Sequence, residues 1–130
     1  MNKKQYQKIT LQELIAKKEQ RLAAKAKPKT IDCYVESLGG TVTLQAPSVE
    51  AVSDALKMGE DGGNAYTVYQ CCVEPNLKDP ELREAYGAAD PVEIVDLIFE
   101  PGEVAALSIE CMKLAGYGDG SVKPLDTLKN

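Results

Sequence analysis

Residues 90–116 read DPVEIVDLIFEPGEVAALSIECMKLAG, and this run carries two helix starts. Asp90-Pro91-Val92-Glu93 offers a capping carboxylate, then a proline where the missing N–H has no intrahelical partner to lose, then an acid where the helix dipole favours negative charge. The pattern predicts a short helix over Pro91–Phe99. A longer helix follows from about Pro101 to Ala115, because Val104, Leu107, Cys111 and Leu114 recur at three- and four-residue intervals on one stripe. Gly116 supplies the left-handed residue that ends it. Upstream, Asp79-Pro80-Glu81 carries the same start signal and Gly87 the stop, so a helix is expected over Pro80–Tyr86.

Toward the N-terminus the periodicity changes. Ile31–Glu36 and Thr41–Ala46 are β-rich, with Cys33, Val35, Val42 and Leu44 on an alternating pattern and Gly39-Gly40 between the two stretches, which reads as a β-hairpin. Pro47 and Ser48 then start a helical segment, Val49–Met58, whose face is expected to hold Val49, Val52, Ala55 and Leu56 and whose end is Gly59. The run Glu60-Asp61-Gly62-Gly63-Asn64 reads as a loop. Residues 65–73 mix strand formers (Tyr66, Thr67, Val68, Tyr69, Val73) with a helix cap at Asn64, and the helical reading is adopted. At the start of the chain, Thr10 and Glu13 form a capping-box pattern and Ile9 can staple onto Leu14, predicting a helix from Leu11 to about Ala26 that Pro28 closes. Its apolar stripe is thin: Leu11, Leu14, Ile15 and Leu22, interrupted by Lys18. From Tyr117 onward the chain is polar and expected to be loose, with Leu125 and Leu128 able to dock weakly.

The fold class expected from these elements is α+β and mainly helical: a small helical domain with one β-hairpin near the N-terminal third and a basic N-terminal helix. A 130-residue chain fits one such domain, and with 44 % apolar but only 5 % aromatic residues its core must be built largely from Leu, Ile, Val and Ala. The expected organisation is a basic helical arm over residues 1–30, a compact domain over 31–118 and a loose tail over 119–130. Charge follows the same division. Residues 1–30 hold nine cations against Glu13 and Glu19, a net of +7, while the remainder holds six cations against eighteen acids, a net of -12.

Several chemistries are disfavoured by residue type alone. The chain has no histidine, so it lacks the commonest general base and every Cys-His or Ser-His nucleophile pair. The acids cluster at helix starts and on polar faces, where solvation is their expected role. Glu60–Asn64 lacks the alternating ligands and terminal glutamate of an EF-hand loop. Gly116, Gly118 and Gly120 follow a helix instead of opening one after a strand, unlike a phosphate-binding loop. The cysteines Cys33, Cys71, Cys72 and Cys111 have no CxxC spacing and are expected as reduced, partly buried thiols, so no metal and no cofactor is predicted. No stretch approaches the roughly 20 apolar residues of a membrane span, and the lysine-rich start leads into an amphipathic segment, so a cytoplasmic protein is expected. The lysine-rich arm could touch phosphates, but the acidic remainder opposes a polyanion, and contact with protein is the preferred reading.

Three blocks, in order, carry a family likeness: Ser37-Leu38-Gly39-Gly40-Thr41-Val42-Thr43-Leu44, then Val73 to Leu82 through Pro75-Asn76-Leu77, then Pro91 through Phe99-Glu100-Pro101-Gly102-Glu103-Val104 to Gly118. With them the chain resembles the phage tail assembly chaperones of phages and prophages of Gram-positive bacteria. The resemblance covers most of the chain from Leu11 onward, and the blocks contain no catalytic signature. It implies a non-enzymatic protein of the bacterial cytoplasm that coats the tape-measure protein while the tail tube polymerises, with the tail tube protein as a further partner and with self-association. Client contact of the helix-in-groove kind would use the stripe Leu11, Leu14, Ile15 and Leu22. A structural tail adaptor or completion protein retained in the virion is the alternative. The resemblance also implies a second, longer product made by ribosomal slippage near the end of the gene, and Thr127-Leu128-Lys129-Asn130 permits slippery codons.

Overall fold

The computed structural model of the chain describes residues 6–118 and 120–128, with side chains as far as residue 126 at the C-terminal end. Lys3 and Lys4, two of the nine cations counted above, the terminal pair Lys129-Asn130, and the side chains of Thr127 and Leu128 lie outside the described residues. The chain divides into two units, one Lys29–Gly118 and the other the terminal segments Met1–Pro28 and Asp119–Asn130.

The larger unit is α+β. Strands β1 (Thr30–Val35) and β2 (Gly40–Gln45) form the expected hairpin, in antiparallel register from Thr30↔Gln45 to Val35↔Gly40. A single 3-10 turn, Glu36–Leu38, joins them and ends on Gly39 in the left-handed region, φ 63°. The alternation works as read: Val35, Val42 and Leu44 are buried and Cys33 is half-buried. On the outer face, Thr43 donates its hydroxyl to its cross-strand partner Asp32 at 2.6 Å.

Helices α3 (Val49–Leu56) and α4 (Gly59–Cys71) follow, then a short strand β3 (Cys72–Glu74), then α5 (Pro80–Tyr86), α6 (Glu93–Ile98) and α7 (Pro101–Leu114). β3 adds to β2 in antiparallel fashion, giving sheet order β1-β2-β3. Helices α4 and α7 pack on one face of this sheet, and α6 packs on both helices. The core joins Val42 and Leu44 of the sheet to Val68 and Cys71 of α4, Leu77, Ile94, Val95 and Phe99 around α6, and Val104, Leu107 and Cys111 of α7. Phe99, the only phenylalanine in the chain, is buried there.

The predicted starts and stops agree closely. Asp79 caps α5 by accepting from the Glu81 N–H at 2.9 Å, and Gly87 closes that helix at φ 66°. Asp90 accepts from the Val92 N–H at 3.0 Å, but Pro91 and Val92 form a turn and α6 begins two residues later, at Glu93.

Three expectations are corrected. The run Glu60–Asn64 is not a loop; α4 begins at Gly59 and includes it. The reason is packing, since Gly63 is buried against α3 and a Cβ placed there would stand 2.5 Å from the Ala55 carbonyl oxygen. A close helix crossing thus outweighs the weak helix propensity of two glycines. Second, α4 does not reach Val73, because residues 72–74 leave the helix to pair with β2. Third, Val49, Val52, Ala55 and Leu56 do not share one buried face: Val52 and Ala55 are buried, while Val49 and Leu56 are exposed. Near the end of the chain, Leu125–Leu128 forms one helical turn, α8.

Candidate functional site

The predicted partner-binding residues lie on the N-terminal segment, which is two helices where one was expected: α1 (Leu11–Ala16) and α2 (Lys18–Ala26), meeting at Lys17. Neither helix has a buried residue, so no core packing holds a single 16-residue rod straight against local distortion. Lys17 departs to φ -96°, ψ 9°, yet backbone bonds continue on both sides of it, from the Lys17 N–H to the Glu13 carbonyl at 3.0 Å and from the Arg21 N–H to the Lys17 carbonyl at 2.9 Å. Thr10 caps α1 by accepting from the Glu13 N–H at 3.2 Å, and its hydroxyl donates in return to the Glu13 carboxylate.

Leu11, Leu14 and Ile15 sit on α1 and Leu22 on α2, and their exposures are 66 %, 54 %, 64 % and 58 %. Ile9 and Leu14 line one depression together with Glu13, Lys17 and Arg21. The segment therefore presents large aliphatic side chains between cations.

In the larger unit, the three family-like blocks turn out to be joints of the fold. Glu103, in the first turn of α7, accepts from the N–H of the capping residue Glu100 at 2.9 Å and from the Ser37 hydroxyl at 2.7 Å through one carboxylate oxygen, and from the Ser37 N–H at 3.2 Å through the other. The hairpin turn is thereby fastened to α7 across 66 positions of sequence. These bonds, the Glu100 N–H first and then Ser37, hold the Glu103 carboxyl below the usual carboxylate range. A depressed folded-state pKa contributes stability that is complete above the unfolded-state value and is lost as pH falls through the folded one. Glu103→Gln should accordingly lower the urea midpoint at neutral pH and flatten its decline below about pH 5. An unaltered acid limb in urea titrations of the variant would remove Glu103 from that role.

The middle block is similarly structural. Leu77 is 1 % exposed, Cys72 donates its thiol to the Pro75 carbonyl at 3.4 Å, and Lys78 reaches back to α4, donating to Gln70 at 2.7 Å and lying 5.5 Å over the Tyr69 ring. The thiols are free. Burial pushes Cys72 up to about 11, and Cys111 is raised by a hydrogen bond with Cys71 and then by burial. Among the described residues no cluster of three or more His, Cys, Asp or Glu could hold a metal ion, and no helix is long and apolar enough to cross a membrane.

One feature of the larger unit was not read from the sequence. Helices α3, α4 and α7 border an open apolar groove of about 330 Å³, lined among others by Val52, Leu56, Gly63 and Met112, with Glu60 on its wall. Two signals bore on it, the glycine pair Gly62-Gly63 and the apolar positions of α3. The glycines suggested a loop because the helix that α4 packs against lies outside their own stretch of chain.

Residues 53–127 match the model of a protein family described as phage XkdN-like tail assembly chaperone protein, TAC. The match spans more than half of the 130 residues, and the chain belongs to this family. It begins inside α3 and includes the second and third blocks, while the hairpin block and the basic arm precede it. No curated protein and no solved structure matches the chain.

Proposed function

We propose that this protein acts in the bacterial cytoplasm as a non-enzymatic chaperone for the tape-measure protein during tail assembly, and that it holds this client along Leu11, Leu14, Ile15 and Leu22. The observation that carries the reading is the exposure of all four side chains, each above one half, on a cationic helical segment of a tail assembly chaperone. A tape-measure protein is long, largely helical and apolar, so it aggregates unless its stripes are covered before the tube closes around it. An amphipathic segment that is marginal as an isolated helix gains order by laying its apolar side chains against such a client. The contact remains reversible because the stripe is thin and its flanking lysines are screened by salt.

The test is co-expression with the tape-measure protein followed by affinity capture. Wild-type chain should keep the client in solution and co-purify with it, whereas Leu14→Asp with Leu22→Asp should lose the complex. Deleting residues 1–28 should abolish capture while leaving the thermal transition nearly unchanged, because among the described residues the buried core runs from Val35 to Cys111. Capture undiminished by these changes would refute the assignment of the arm. Mass spectrometry of purified particles bears on the broader role: a chaperone is absent from the finished virion, and a structural adaptor is present.

A further inference from the structure

The groove of the larger unit has its own chemistry. Of the polar residues on its walls, Thr67 is satisfied internally, its hydroxyl donating to the Gly63 carbonyl at 2.9 Å, while Glu60, Asn64 and Ser108 also line it. Its surface is mainly aliphatic and includes Leu56, 79 % exposed; Val49, seven residues earlier on α3, is 80 % exposed. The stretch that forms α3 and the first turn of α4 is negatively charged, with Glu50, Asp54, Glu60 and Asp61 against Lys57, and Glu60 lines the groove itself. An occupant should therefore be apolar on one side and cationic beside it.

The chain itself carries such a segment. Between Leu11 and Ala26 the exposed Leu14, Ile15 and Leu22 stand among Lys17, Lys18, Arg21 and Lys25, which outnumber Glu13 and Glu19. We propose that the α3/α4/α7 groove of one copy receives the α1–α2 segment of a second copy. Three observations support it: the segment's apolar side chains are exposed, the groove lining is mainly aliphatic, and the two stretches carry opposite charge. Apolar burial supplies the affinity and the opposed charges supply orientation and encounter rate. The contact joins two different patches, so it propagates head to tail or closes by reciprocal exchange of the two segments. It would also keep the stripe covered until a client competes for it, yet it stands whatever the client is.

Sedimentation velocity on the full chain decides the matter, using two variants at exposed positions, Leu22→Asp on the segment and Leu56→Asp in the groove. Wild-type chain at about 100 µM in low salt should self-associate, and each variant alone should associate at least about tenfold more weakly. Mixing the two should restore a one-to-one complex, since one variant keeps an intact groove and the other an intact segment. Raising salt to about 1 M should weaken both the wild-type and the restored association. Circular dichroism verifies folding, and Leu14→Asp with Val49→Asp serves as a second pair if either first variant is unfolded. A wild-type chain that is monomeric throughout, a single variant that associates like wild type, or a mixture that stays monomeric overturns the proposal.

Discussion

Replacing Leu107 by alanine should destabilise the larger unit by about 2–5 kcal/mol, the cost of removing a buried leucine and leaving its space unfilled. Leu107 is 5 % exposed and lies midway along α7, the helix that packs against α4, β1 and β2 together. Few neighbours can move in to fill the space without disturbing another layer. Against the roughly 5–15 kcal/mol that stabilises a domain of this size, the loss brings the protein close to its threshold. Ile109, two residues away on the same helix, is 55 % exposed, so Ile109→Ala should change stability by less than about 0.5 kcal/mol. Urea denaturation measures both, with the midpoint shifting and the slope unchanged. Equal effects at the two positions would mean that α7 is not oriented as described.

The adjacent glycines of α4 should respond to alanine with opposite signs. At either position the change gains about 1 kcal/mol of helix propensity. At Gly62 the nearest atom to the new methyl is the Met58 Cβ at 3.4 Å, a distance that calls for little adjustment, so Gly62→Ala should be neutral or stabilising by up to about 1 kcal/mol. At Gly63 the methyl would stand 2.5 Å from the Ala55 carbonyl oxygen, which is backbone and cannot swing aside. Helices α3 and α4 would have to separate, at an overpacking cost of about 1–3 kcal/mol or more that exceeds the gain. Thermal unfolding of the two variants gives the signs directly. Because Gly63 and Ala55 both line the groove, the same substitution should also change the groove's shape. Stabilisation by Gly63→Ala would show that the two helices do not cross closely at that point.

These residues also show why parts of the site were legible and others were not. The capped N-terminal helix with its exposed aliphatic side chains could be read from sequence because the cap at Thr10, the aliphatic spacing and the flanking lysines all lie within one short segment. Its division at Lys17 could not, since no proline or glycine marks it. The groove escaped notice because its walls come from α3, α4 and α7, and because a glycine pair carries the same local signal whether it sits in a turn or beneath a crossing helix. Likewise, nothing near Glu103 in sequence announces Ser37 as its partner.

What the sequence determined by itself is what short-range physics controls: the starts of α5 and α7 at Pro80 and Pro101, the left-handed stop at Gly87, the alternation of the hairpin, and the opposite charge of arm and remainder. Caps, prolines and glycines act within one turn, so each element carries its own boundary signals. Tertiary structure alone decided that Glu60–Asn64 is helical, that residues 72–74 become a third strand, that Leu56 faces out while Val52 faces in, and that Ser37 fastens the hairpin to α7. In each of these cases the deciding partner lies outside the local segment, and its packing or hydrogen bonding outweighs the fraction of a kcal/mol to about 1 kcal/mol by which propensity favours one local conformation over another.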